Sequence, residues 1–174
     1  MTWRWRRCSG RNMAGNLRVG IGYDVHALAV GRRLVLGGIE IPSDRGLSGW
    51  SDADVLTHAI MDALLGAAAL GDIGRHFPPG DPQYEGVSSL ILLAKVKDLL
   101  AANGWQVDNI DATIVAEQPK LSEHINRMRE KLCQTLELDV EQVSVKASTS
   151  DGLGFVGRGE GIAALAVAAL KEKE

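Results

Sequence analysis

The sequence predicts an α/β fold, a two-layer α+β-like sandwich in which a single mixed sheet carries helices packed on one face. Three observations lead there. Strand-like and helix-like segments alternate along the chain, which favours one sheet covered by helices. The 174 residues suit one domain with a sizeable core. No internal repeat or interdomain linker divides residues 17–174, which read as a single domain behind a short leader, residues 1–16.

Each element has its own signal. Residues 18–24 and 33–41 are β-rich and broken by glycines, and Pro42 ends the second stretch. Ser51-Asp52-Ala53-Asp54 fits a capping box, a hydroxyl followed three residues on by a carboxylate. The helix it opens runs through Ala63-Leu64-Leu65 and stops near Gly71, a good residue just past a helix end. Residues 72–86, with Pro78, Pro79 and Pro82, form a loop of functional length. A second helix fills 88–103 and ends at Gly104, and a strand follows at 109–115. A third helix spans 121–136 with Ser122 as its cap, then a strand at 142–148. A glycine-rich loop leads into a final helix at 160–172.

Composition excludes several function classes. Hydrophobic residues make up 45% and charged residues 24%, as in ordinary globular proteins. A net charge of −3 gives no general attraction to nucleic acid or an anionic membrane, so any phosphate-handling site must be local. No apolar run approaches the ~20 residues that span a bilayer. Two cysteines, Cys8 and Cys133, do not make a disulfide framework, and the cytoplasm is the simplest compartment. The leader carries Trp3, Trp5 and four arginines but no acidic residue, and it lacks the apolar core of a secretory signal. It reads as a disordered extension with Met13 as an alternative start; a plastid location requires it to be a truncated transit peptide.

Chemistry concentrates in two places. Asp24 and His26 end the first apolar run, and residues two apart in a strand share a face. His58, on the first helix, supplies a third donor, and an O/N/N set leaves one tetrahedral position open, as in a catalytic zinc site. Asp54, His58 and Asp62 lie along one helical stripe. That stripe is either a solvated face or a set in which Asp54 or Asp62 accepts the second ring N–H of His58. His76 and His124 read as a loop residue and an exposed helical residue. The second place is 146–161, where hydroxyl residues and glycines let backbone N–H groups approach phosphate oxygens. Arg158 adds a planar phosphate donor, and Asp151 can hold a hard cation such as Mg²⁺. The alternative is a flexible glycine-rich turn. Neither the P-loop nor the dinucleotide spacing is present.

Gly22-Tyr23-Asp24-Val25-His26, Ser51-Asp52-Ala53-Asp54 with His58, Asp62-Ala63-Leu64-Leu65-Gly66, Gly71-Asp72-Ile73-Gly74 and Gly157-Arg158-Gly159-Glu160-Gly161 occur in that order. Over about residues 17–171 the chain thereby resembles the 2-C-methyl-D-erythritol 2,4-cyclodiphosphate synthases of the non-mevalonate isoprenoid pathway. The resemblance implies a homotrimer with active sites between subunits, which cyclises 4-diphosphocytidyl-2-C-methyl-D-erythritol 2-phosphate and releases CMP. It implies Zn²⁺ on Asp24, His26 and His58, and a Mg²⁺ or Mn²⁺ ion near Asp151, bridging the substrate diphosphate. Ala116, Pro119, Lys120 and Leu121 match the cytidine segment, contributed by the neighbouring subunit with Ala147, Ser148 and Thr149. Asp72, Ile73 and Gly74 match the methylerythritol phosphate segment, with the 77–81 loop, including Phe77 and Asp81, closing over it. Thr149 matches a position that steadies the transition state. Phe155 and Arg158 match residues near the trimer axis, where an isoprenoid diphosphate can sit.

The resemblance also marks departures. Trp50 stands where the family has a histidine just before the Ser-Asp pair. Its place at the start of a helix predicts that it acts through its backbone N–H, with Ser51 presenting the helix end to the diphosphate. Pro79 replaces an aspartate in the mobile loop, Asp151 is one methylene shorter than the usual glutamate, and Leu165 stands where some members carry a glutamate in the trimer cavity.

Overall fold

The computed structural model describes residues 16–173; the leader and its Cys8 lie outside the described residues, apart from Asn16. A five-stranded mixed sheet forms the base, in the order β4 (Arg45–Leu47), β1 (Arg18–Val30), β7 (Gly161–Glu172), β5 (Trp105–Val115) and β6 (Val143–Ser148). The pairs β4–β1, β1–β7 and β7–β5 are antiparallel, and β5–β6 is parallel. This is the expected single mixed sheet; a separate two-stranded ribbon, β2 (Leu34–Leu36) and β3 (Ile39–Ile41), accompanies it. Gly37 and Gly38 turn it with φ of 57° and 71°, the positive pair that tight hairpins require.

Three long helices pack on the sheet: α1 (Val55–Ala67), α3 (Ser89–Ala102) and α4 (Ile125–Leu136), joined by short α2 (Ile73–His76) and α5 (Gly154–Gly157). Helix α1 is buried almost all round, with Leu56, Ile60, Met61, Leu64 and Leu65 fully enclosed. A helix apolar on nearly every side belongs in a core. No helix among the described residues is long and apolar enough to cross a membrane.

The largest correction concerns residues 160–172, expected as a helix and found as strand β7. Alanine favours helices, yet this segment is hydrogen-bonded between β1 and β5, and tertiary pairing overrides propensity. Its period is two: Ile162, Ala164, Ala166, Ala168 and Leu170 are buried, while Leu165 and Val167 point away at 40% and 44% exposure. Smaller corrections follow from caps. Helix α1 starts at Val55 because Asp54, not Ser51, accepts from Thr57 N. Helix α4 starts at Ile125, after a turn that contains Ser122.

The spacing between α1 and β1 is set by missing side chains. A Cβ at Gly22 would stand 1.9 Å from the Ala59 carbonyl oxygen, and one at Gly20 would stand 2.1 Å from that of Ala63. Ala59, Ala63 and Ala67 thus form the face of α1 that lies on two glycines of β1. Gly22→Ala must push the helix backbone away and should cost at least about 1–3 kcal/mol, the usual range for overpacking. Gly66, within α1, has open space, its nearest neighbour being 3.9 Å away. Gly66→Ala should stabilise by about 0.5–1 kcal/mol. Urea unfolding of the two variants checks the pair; equal effects would contradict this packing account.

Candidate metal centre

The same close approach brings three donors to one point. Asp24 and His26 sit on the α1-facing side of β1, and His58 projects from α1 next to Ala59. Asp24 Oδ2 lies 3.0 Å from His26 Nε2 and 3.0 Å from His58 Nδ1, and the two nitrogens are 3.1 Å apart. Ligands of a tetrahedral zinc with bonds of ~2.0–2.1 Å stand roughly 3.3 Å from one another. The triangle therefore fits a small divalent ion with little adjustment. Among the described residues, these three make the one cluster of potential metal-binding side chains.

Ring tautomers sharpen the fit. His26 Nδ1 lies 2.7 Å from the Ser48 carbonyl oxygen, an acceptor only, so Nδ1 carries the hydrogen and Nε2 faces Asp24 with a lone pair. His58 Nε2 lies 2.9 Å from Ser89 Oγ and 3.2 Å from Ser51 Oγ. Two nitrogens and a carboxylate oxygen converge, and such a set repels itself unless a cation or proton sits among them. Burial opposes ionisation of Asp24, but hydrogen bonds and charge from both imidazoles hold its carboxyl below the ordinary carboxylate range. Burial likewise opposes charge on His26, but the Asp24 contact and the Ser48 carbonyl together raise it above 6.5.

The polar stripe on α1 is not a solvated face, since Asp54 is fully buried and His58 is 7% exposed. Nor do its carboxylates meet the His58 ring. Asp54 accepts from Gly37 N at 2.9 Å, Gly38 N at 2.7 Å, Thr57 N at 3.0 Å and Thr57 Oγ1 at 2.7 Å, so it anchors the β2–β3 turn to the helix. Burial pushes its carboxyl up against these four donors. Asp62 accepts from Ile73 N at 2.8 Å and holds the start of α2.

The remaining residues singled out above fall into two cavities and a set of loops. Asp24, His26, Trp50, Ser51, His58, Ile73, Gly74, Phe77 and Pro79 line a cavity of about 220 Å³, together with Met61, Tyr84 and Leu92. Ala116, Pro119, Lys120, Leu121, Ala147, Ser148 and Thr149 line a second, of about 470 Å³. Asp72 and Asp81 line neither; each accepts a backbone N–H at the start of a short turn, Arg75 N and Gln83 N. Asp151 lies on the 149–152 turn, apart from the Asp24/His26/His58 cluster, with Thr149 Oγ1 at 3.3 Å. Arg158 is already paired with Glu160, at 2.8 and 3.0 Å. Glu117, not singled out above, accepts from Ser150 N, Ser150 Oγ and Gly152 N, and these donors hold its carboxyl low.

Trp50 does not stand at a helix start: it precedes Val55 by a bend, and Asp54 caps α1. Its indole N–H donates to the Asp81 carbonyl at 2.9 Å, and its own carbonyl accepts from Gly86 N at 2.9 Å. The side chain thus ties the 77–86 loop across the first cavity.

A model of the YgbB family matches residues 17–171. A 2-C-methyl-D-erythritol 2,4-cyclodiphosphate synthase from Dehalococcoides mccartyi (strain CBDB1) is 63% identical over 157 residues, covering 90% of this chain and all of that protein. The protein of the same name from Desulforamulus reducens is 58% identical, over 90% of this chain and 99% of its own. Among solved structures, the bifunctional IspDF from Campylobacter jejuni superposes with a TM-score of 0.89 at 39% identity, over 92% of this chain and 44% of that one. IspF from Plasmodium falciparum, in a complex with CDP, gives 0.80 at 31% identity, over 92% and 99%.

The raised His26 value has a definite sign. A proton held more tightly in the fold stabilises it below the ordinary 6.5, and that contribution is lost as pH rises through the raised value. A divalent ion displaces the proton. Metal-free protein should therefore lose thermal stability over that pH window, and saturating Zn²⁺ should abolish the loss. Melting curves across the window check this; identical slopes with and without Zn²⁺ would contradict it.

Proposed function

This chain belongs to the YgbB family, and from that membership we propose that it is a 2-C-methyl-D-erythritol 2,4-cyclodiphosphate synthase. In this reading it converts 4-diphosphocytidyl-2-C-methyl-D-erythritol 2-phosphate to the 2,4-cyclodiphosphate and CMP. The observation that carries the reading is the Asp24/His26/His58 donor set lining a cavity, on a chain 63% identical to a synthase of that name.

The reaction joins an oxygen of the 2-phosphate to the β-phosphorus and breaks that phosphorus's bond to CMP. Attacker and target are both anionic, so holding them in line and neutralising their oxygens are the main catalytic devices. Zn²⁺ on Asp24, His26 and His58, with Mg²⁺ or Mn²⁺ on the diphosphate, would supply that neutralisation. The chain's own groups do the rest. Ile73, Gly74 and Phe77 wall the cavity beside Ser51, and Trp50 keeps the Asp81 loop over it, which restricts water. No side-chain nucleophile is required.

The second cavity is proposed to take the cytidine, with Lys120 and Thr149 at its polar edge. We place the working assembly as a homotrimer, in which that cavity serves a neighbour's metal centre. Support comes from the sheet face opposite α1, where Val19, Ile21, Tyr23, Val25, Leu165 and Val167 are all at least 40% exposed. A contiguous apolar face of this kind calls for a protein partner. Phe155 and Arg158 would meet an isoprenoid diphosphate in the trimer cavity, Arg158 through the guanidinium N–H groups that its pair with Glu160 leaves free.

Purified protein incubated with the diphosphocytidyl substrate, Zn²⁺ and Mg²⁺, and followed by ³¹P NMR, should yield CMP and the cyclic diphosphate in equal amounts. CMP with an open-chain diphosphate would identify a hydrolase instead. Absence of CMP would leave a binding protein and overturn the proposal.

A further inference from the structure

We infer that Ser89 and Asp52 are positioning residues for His58: they hold its ring as the Nε2–H tautomer and so present Nδ1, with a free lone pair, to the ion. The inference rests on the metal reading above and deepens it. His58 Nε2 faces two hydroxyls, Ser89 Oγ at 2.9 Å and Ser51 Oγ at 3.2 Å. A hydroxyl can donate or accept, so its other partner decides the direction. The Ser89 hydroxyl donates to Asp52 Oδ1, and the Ser89 amide donates to Asp52 Oδ2 at 2.9 Å. With its one proton committed to the carboxylate, Ser89 Oγ offers only a lone pair to Nε2, which must therefore carry the hydrogen.

Burial keeps that choice in place. Ser89 is fully buried, so bulk water cannot substitute for its hydroxyl. Asp52 is itself fixed: its amide donates to the Val87 carbonyl at 3.0 Å, and its Oδ1 also receives Asp54 N at 3.3 Å. Because Asp52 lies just ahead of α1 and Ser89 opens α3, the clamp joins two helix starts at the place where His58 projects. Neither residue belongs to the metal-type cluster or lines the adjoining cavity. They act through the imidazole, by orienting the ring and by raising the electron density at Nδ1.

Two readouts besides activity test the inference on the full chain: imidazole ¹⁵N NMR of the metal-free protein, and Zn²⁺ retention against a competing chelator. The parent should show His58 as the Nε2–H tautomer. Ser89→Ala should mix the tautomers and weaken Zn²⁺ retention roughly 10- to 100-fold. Asp52→Asn, which keeps shape and loses charge, should shift both in the same direction, and Ser89→Thr, which keeps the hydroxyl, should restore the parental values. Should Ser89→Ala fail to fold by circular dichroism, the parental tautomer and Asp52→Asn still decide. A parent with hydrogen on Nδ1, or folded variants with unchanged tautomer and retention, would overturn the inference alone. A parent that binds no Zn²⁺ would overturn the metal reading and the inference with it.

Discussion

The contact between Gly20 and Gly22 of β1 and the alanine face of α1 governs the rest of the molecule. Without side chains on the strand, the helix backbone lies almost directly on it, closer than any Cβ would permit. That distance lets His58, one residue before Ala59, reach Asp24 and His26, which follow Gly22 on the same face of the strand. The alanines of β7 continue the arrangement, since Ala164, Ala166 and Ala168 are buried under the same helix. Small residues here look like weak core packing. In fact they set the scale of the site, because a donor triangle with sides of 3.0–3.1 Å cannot survive a displaced helix.

Electrostatics complete what packing begins. The outer nitrogen of each imidazole is taken by a fixed partner, the Ser48 carbonyl for His26 and the Ser89 hydroxyl for His58. Both inner nitrogens are thereby turned, as lone pairs, toward the Asp24 carboxylate. The fold holds three acceptors together and leaves a positive charge to reconcile them. In the proposed function, a tetrahedral ion held by these three groups would have one position left for a substrate oxygen, the arrangement a metal-assisted phosphoryl reaction needs. Around the site, Asp54 and Asp62 spend their carboxylates on backbone N–H groups, fixing the β2–β3 turn and α2 against the helix that carries His58.

Much of the site was legible in the residue order, and the failures share a physical cause. The Asp24–Val25–His26 spacing announces a shared strand face, and His58 lies on a strongly apolar helix, so local periodicity suffices for both. Residues 160–172 look helical because alanine-rich segments favour helices in isolation, whereas β7 owes its form to β1 and β5, both distant from it in sequence. The period of two in Ile162, Ala164, Ala166, Ala168 and Leu170 was the available signal. Ser51 and Asp54, a hydroxyl and a carboxylate only three residues apart, both suit the helix cap by sequence. The tertiary Gly37–Gly38 turn decides in favour of Asp54. Ser89 and Asp52 carried no local mark, since their meeting is a long-range event. The position of Trp50 before the Ser-Asp pair predicts a helix start, but α1 opens only at Val55, and the Trp50 indole braces the Asp81 loop.

The proposed function requires one ion held by two imidazole nitrogens and one carboxylate oxygen. Zinc K-edge absorption of the Zn²⁺-loaded protein tests that most directly. It should give a four-coordinate first shell with two imidazole scattering sets, Zn–N distances of ~2.0–2.1 Å and the remaining positions oxygen. A six-coordinate all-oxygen shell, or a first shell with a single imidazole, would contradict it.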